Sequence, residues 1–211
     1  MDERIERAKE LYERAVFGGD RDAVAAAEVE LDAVEADLVL TRARILHARF
    51  LEERQEDPRE LELFERAARL YEQLGDVRGQ AQALFGVGLV HQVVRGDSDA
   101  SMPSFERADE LARRAGDKLT ISYVVRHLAF ADQAAGRMDV ARERFEESVR
   151  LRREVGFLPG VAAALLALGD LASETGRQEE ARALLDEAAA VAESSGARGI
   201  LRWIDEARSQ M

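Results

Sequence analysis

Three series of residues recur along this chain with one shared period. Gly96, Gly136 and Gly176 stand 40 residues apart, and Gly75, Gly116, Gly156 and Gly196 follow at intervals of 41, 40 and 40. Phe64, Phe105, Phe145 and Leu185 repeat the second set of intervals, each 11 residues ahead of one of its glycines. A period of this length marks a stack of supersecondary units, none of which can bury its apolar face without a neighbour.

Between the glycines the patterning is helical. Val161 to Ala172 places small and apolar residues at i, i+3, i+4 and i+7, and Gln178 to Ala189 does the same with a charged outer face. Each glycine stands where a helix end needs a left-handed residue. Pro58, Pro103 and Pro159 fall near helix starts, where a missing amide hydrogen costs little. The β-branched stretch from Ile121 to Val125 reads as the start of a helix. The fold class is all-α.

At this point the residues resemble the tetratricopeptide repeat family. In the last unit Leu168-Gly169 and Ala172 fill the first-helix positions of the family signature, and Ala181, Leu185 and Ala188 fill the second. The unit before it has Ala141 and Phe145, with Ala129 for the glycine and Ser148 for the last alanine. The next upstream has Val87-Gly88, Phe105 and Ala108, with Ser101 for the first alanine. The match thins to Phe64 and Ala67, then to Val24 and Ala27. The period exceeds the usual 34, and such long units resemble the arrays of bacterial, actinobacterial-type transcriptional regulators.

The resemblance implies a right-handed superhelix, an α-solenoid of about five antiparallel helix pairs in a single domain over residues 1–211. The pairs are expected at about 1–40, 41–80, 81–121, 122–161 and 162–197, with a cap over 198–211. Trp203 is expected to plug the core beneath that cap. The join near residues 35–40 has no glycine, so 22–55 reading as one long helix, with a dimerisation face, stays open. One extra residue near Arg95 shifts the register of the third unit.

Composition narrows the chemistry. With 30 Lys+Arg against 42 Asp+Glu the formal charge is −12, which argues against a nucleic-acid partner. The chain is 46% hydrophobic, enough for a real core, and has no cysteine for disulfides, thiolate catalysis or zinc. MDERIERAKE lacks a signal-peptide core, and no stretch is long enough to span a membrane. A cytoplasmic protein with no membrane association and no cofactor is the expectation.

The family's groove-facing positions, carried over, imply a binding face of Arg42, Ile45 and Arg49; Phe85, Leu89 and Gln92; Tyr123, Arg126, Phe130 and Gln133; and Leu166 and Asp170. Apolar walls with a few polar groups are what binding pockets show. His47, His91 and His127 have no i, i+4 spacing and no HExxH context, so no metal site is expected. His91, beside Gly86 and Gly88, is a weak candidate for a single general base. Gly86-Val-Gly88 lacks the strand and third glycine of a dinucleotide loop, and its glycines fit close helix contact. Asp97-Ser-Asp99 reads as helix caps.

No nucleophile–base pair stands out, so the balance leans away from an enzyme. Three readings remain: a non-catalytic module that grips a peptide or helix of a partner protein, a small-molecule binder or cofactor-free isomerase or cyclase, and a self-associating homodimer.

Overall fold

The computed structural model describes residues 2–209, and all of their regular structure is helical. The helices are α1 (Glu3–Gly18), α2 (Asp22–Glu53), α3 (Arg59–Leu74), α4 (Val77–Leu89), α5 (Ser98–Ala115), α6 (Lys118–Ala134), α7 (Met138–Glu154), α8 (Leu158–Glu174), α9 (Gln178–Ser195) and α10 (Arg198–Ser209). The chain divides into two compact units, residues 1–115 and 116–211. In the first, α1 to α5 pack in sequence order; in the second, α6 to α10 do the same. The all-α, solenoid-type fold is therefore present, with consecutive helices folding back on one another. The last two residues of the expected cap lie outside the described residues.

The glycines end the helices as expected. All seven of the periodic glycines have positive φ, between 66° at Gly116 and 78° at Gly176, a region open to glycine at little cost. After three of them an aspartate restarts the chain: Asp97 accepts a hydrogen bond from the Ala100 amide at 2.9 Å, Asp76 from the Gly79 amide at 2.9 Å, and Asp117 from the Thr120 amide at 3.3 Å. The last two caps place helix starts at Val77 and Lys118, about four residues ahead of the expected boundaries at 81 and 122.

Of the two readings left open for this stretch, the long helix over about 22–55 is the one present, and no break falls between residues 40 and 41. Asp22–Glu53 is one 32-residue helix, about 48 Å long at the standard rise. Nothing in it supplies a left-handed residue; the next one is Arg54, at φ 55°. The extra residue of the third unit also has a physical form. Gly88 to Gly96 is one residue longer than Ala129 to Gly136, and within it Val90–Val94 forms a π-helical turn. A π turn is how a helix absorbs a single insertion without losing its axis.

The third periodic series forms the spine of each core. Phe64, Phe105, Phe145 and Leu185 are all fully buried. Rings and glycines fit together: a Cβ on Gly88 would lie 2.3 Å from the Phe105 ring, and one on Gly86 would lie 2.1 Å from Phe64. Leu185 meets Gly169 the same way at 3.0 Å. In the second unit Phe145, Ala129, Leu168, Leu171, Leu185 and Ile204 belong to one buried cluster.

Trp203 corrects another expectation. It is 42% exposed, whereas Ile204 is completely buried and seals the end of that cluster. Both lie on the apolar side of α10, which packs on α9 with Ile204 inward. Of the prolines, Pro58 precedes α3 and Pro159 is in the first turn of α8, but Pro103 is the sixth residue of α5.

Candidate binding faces of the two units

In the first unit, Arg42, Ile45 and Arg49 follow one another along the outer face of α2. With Thr41, Leu46, Arg59, Glu62 and Leu63 they line a pocket of about 500 Å³ between α2 and α3. Arg59 is committed to Asp57, Nη2 to Oδ2 at 2.6 Å, and this donor holds the Asp57 carboxyl at about 2. Arg42 and Arg49 have no hydrogen-bond or ion-pair partner among the described residues. The pocket is thus an apolar floor with two uncommitted guanidinium groups on its rim.

Phe85 and Leu89, on α4, are half-buried, and the Phe85 ring lies 5.9 Å from that of Phe105. Gln92 and His91 sit in the π turn, where the His91 carbonyl accepts from the Asp97 amide. His47 donates or accepts at Nδ1 with Glu60 Oε1, 2.8 Å apart, with Glu60 almost fully buried. His127 is buried edge-on to Phe130. No cluster of three or more His, Asp or Glu able to hold a metal ion occurs among the described residues.

The second unit centres on two arginines with opposite circumstances. Arg152, buried, donates from Nη1 to the Gly160 carbonyl at 2.7 Å and from Nε to Ser122 Oγ at 3.3 Å, and lies over the Tyr123 ring at 4.8 Å. Arg126 has no such partners. Its guanidinium lies 4.6 Å from the centroid of Phe130, and its enclosed Nε has no hydrogen-bond partner. Burial, with the Arg152 charge added, pushes the Arg126 guanidinium well below its ordinary value; a guanidinium nonetheless stays charged at neutral pH. Asp170, across from it on α8, is pushed up by burial while the Arg126 charge pulls it down. The two are not in ion-pair contact.

Beyond Asp170 lies a pocket of about 480 Å³ lined by Leu166, Asp170, Ser173, Glu174, Trp203, Glu206 and Ala207. Gln133 points the same way, donating to Glu174 at 2.5 Å. Leu166 and Asp170 are among the positions that the tetratricopeptide resemblance implies for the groove. Trp203, Glu206 and Ala207 are not, because they come from the capping helix, which has no counterpart in the preceding units. Arg152 also gave no signal: it is one of a run of charges, Arg150 to Glu154, and only packing distinguishes it.

Residues 119–194 match the model of the family described as Tetratricopeptide repeat. No curated protein sequence matches the chain. Among solved structures, aspartyl phosphate phosphatase F from Bacillus subtilis superposes with a TM-score of 0.65 at 12% identity, over 98% of this chain and 54% of that one. The chain spans about half the length of that phosphatase. BtubC (BKLC) from P. vanneervenii superposes with a TM-score of 0.55 at 16% identity, over 92% of this chain and 90% of that chain. At these identities the likeness is one of fold.

Proposed function

We propose that this helical-repeat chain is a non-catalytic protein-interaction module, acting as one domain over residues 1–211 and gripping a segment of a partner protein. The observation that carries the reading is Arg126: a half-buried charge, stacked on Phe130, with an enclosed Nε that has no acceptor. A group so placed costs stability, and a carboxylate from a partner would offset that cost. Charge-assisted guanidinium–carboxylate bonds are among the stronger ones available.

Around that anchor, Tyr123, Phe130 and Leu166 supply apolar contact, while Gln133, Asp170, Glu174 and Glu206 beside Trp203 favour a cationic or amide group further along the segment. The partner segment therefore carries an acidic residue, an apolar residue and then a basic one. Stacked repeats suit such a ligand because they present a row of shallow subsites instead of one closed cavity. Phe85, Leu89 and Gln92, with Arg42, Ile45 and Arg49, extend the candidate surface in the first unit.

The test is selection from a random display of twelve-residue peptides against the purified chain, repeated with Arg126→Glu. Enrichment of sequences with acidic and apolar residues that Arg126→Glu abolishes supports the reading. Enrichment that survives the substitution, or none at all, overturns it.

A further inference from the structure

The long helix α2 carries an apolar stripe that the fold leaves uncovered. Val24, Leu31, Leu38 and Ile45 are spaced seven residues apart and are 53%, 48%, 49% and 59% exposed. The opposite side of the same helix, with Ala36, Val39, Leu40, Ala43 and Phe50, is the buried one. A stripe that keeps a seven-residue period over three heptads is a coiled-coil seam in form. Tyr12, Val16 and Phe17 on α1 are likewise 61%, 54% and 82% exposed. Exposed apolar surface of this extent on the α2 stripe marks an interaction face.

The charges beside the stripe say what covers it. From Asp22 to Asp37 the helix has six acidic residues and no basic one; from Arg42 to Arg49 it has three arginines and no acid. The helix dipole explains such polarity only within the first and last turns, and Glu28, Glu35, Arg42 and Arg49 lie inside those limits. These four follow the same seven-residue spacing along one flank of the stripe. Laid against a parallel copy, the flank meets like charge. Laid against an antiparallel copy, acid meets base along its whole length.

We infer that α2 is a self-association surface, on which a second copy of this chain lays its own α2 antiparallel about a twofold axis near residue 39. Packing Leu38 of one copy against Thr41 of the other, and Ile45 against Val34, puts Glu28 beside Arg49 and Glu35 beside Arg42. Glu28, Arg42 and Arg49 make no hydrogen bond or ion pair within their own chain among the described residues, although the Arg49 charge is felt at Asp57; Glu35 pairs with Arg66. The interface is isologous, so each pairing occurs twice. It draws on the interaction-module reading only in giving the first-unit pocket a helical occupant, and it leaves the second-unit face free.

Sedimentation equilibrium of the full chain then returns twice its 23.4 kDa mass. Leu38→Glu returns the single mass with an unchanged helical circular dichroism spectrum, and Arg126→Glu still returns the doubled one. Glu28→Arg and Arg49→Glu each weaken self-association by about tenfold, and an equimolar mixture of the two variants restores it, because opposite charges then meet at both ends. The chain lacks cysteine, so single replacements report distance cleanly. Leu38→Cys forms an oxidised dimer, and Val24→Cys does not, its two copies being about 46 Å apart along the axis. A monomeric wild type, a dimer indifferent to Leu38→Glu, or a mixture no tighter than its components overturns the proposal. So does cross-linking at Val24→Cys.

Discussion

The ring of Phe105 occupies the space where a side chain on Gly88 would begin, 2.3 Å from the position of its Cβ. The helix pays about 1 kcal/mol for that glycine relative to alanine, and in return α4 and α5 close to contact distance over a buried aromatic. Gly169 and Leu185 repeat the arrangement two units later with a looser fit.

Gly88→Ala therefore sets two effects against each other. The propensity gain of about 1 kcal/mol is smaller than the strain of displacing a completely buried ring, which costs about 1–3 kcal/mol. The expected outcome in urea denaturation is a net loss of up to about 2 kcal/mol, with Gly169→Ala losing less because its contact is 3.0 Å. Equal losses would contradict the difference in fit.

Phe145→Ala removes a ring that is fully buried and lies edge-on to Phe130 at 5.0 Å. Loss of stability by about 3–5 kcal/mol is expected from the deleted contacts and the cavity left behind. An unchanged melting temperature would break the alignment of the periodic aromatic series.

Arg126 and Arg152 are expected to part company on substitution by methionine. Arg152→Met leaves the Gly160 carbonyl without its donor and destabilises the fold by about 1–3 kcal/mol. Arg126→Met removes an enclosed donor that nothing accepts, so stability stays level or rises slightly despite the lost ring contact, while binding of acidic peptides disappears. Paired thermal melts and peptide titrations check both arms.

At the C-terminal end, Ile204→Ala is expected to cost about 2–5 kcal/mol and Trp203→Ala far less, since Trp203 stands 42% exposed beside the Leu166 pocket. Trp203 fluorescence reports the same difference: its emission is that of a partly hydrated indole, and it shifts when a ligand enters that pocket. A large stability loss at Trp203 would restore it to the core.

How far the residues could be read in advance depended on whether their role was local. The glycine series required only that left-handed helix ends recur, and every one of those glycines has positive φ. The inserted residue near Arg95 was visible as a spacing of 41 where 40 was due, although its form as a π turn was not. The boundary at residue 40 was misplaced because a helix stops where a stop signal exists, and the stretch from Leu38 to Arg44 has none. Trp203 and Ile204 share one apolar stripe, and no periodicity separates them.

The amino-acid sequence by itself determined the helices, their ends and the repeating spine of Phe64, Phe105, Phe145 and Leu185, because these follow from backbone conformation and hydrophobic spacing within one unit. The tertiary structure alone decided which charges were left over. That Arg152 is satisfied by Gly160 and Ser122 while Arg126 is not, and that Val24, Leu31, Leu38 and Ile45 face outward together, depends on how neighbouring helices share out their surfaces. Partners for a side chain come from whatever packs against it in space, and a one-dimensional pattern does not contain that.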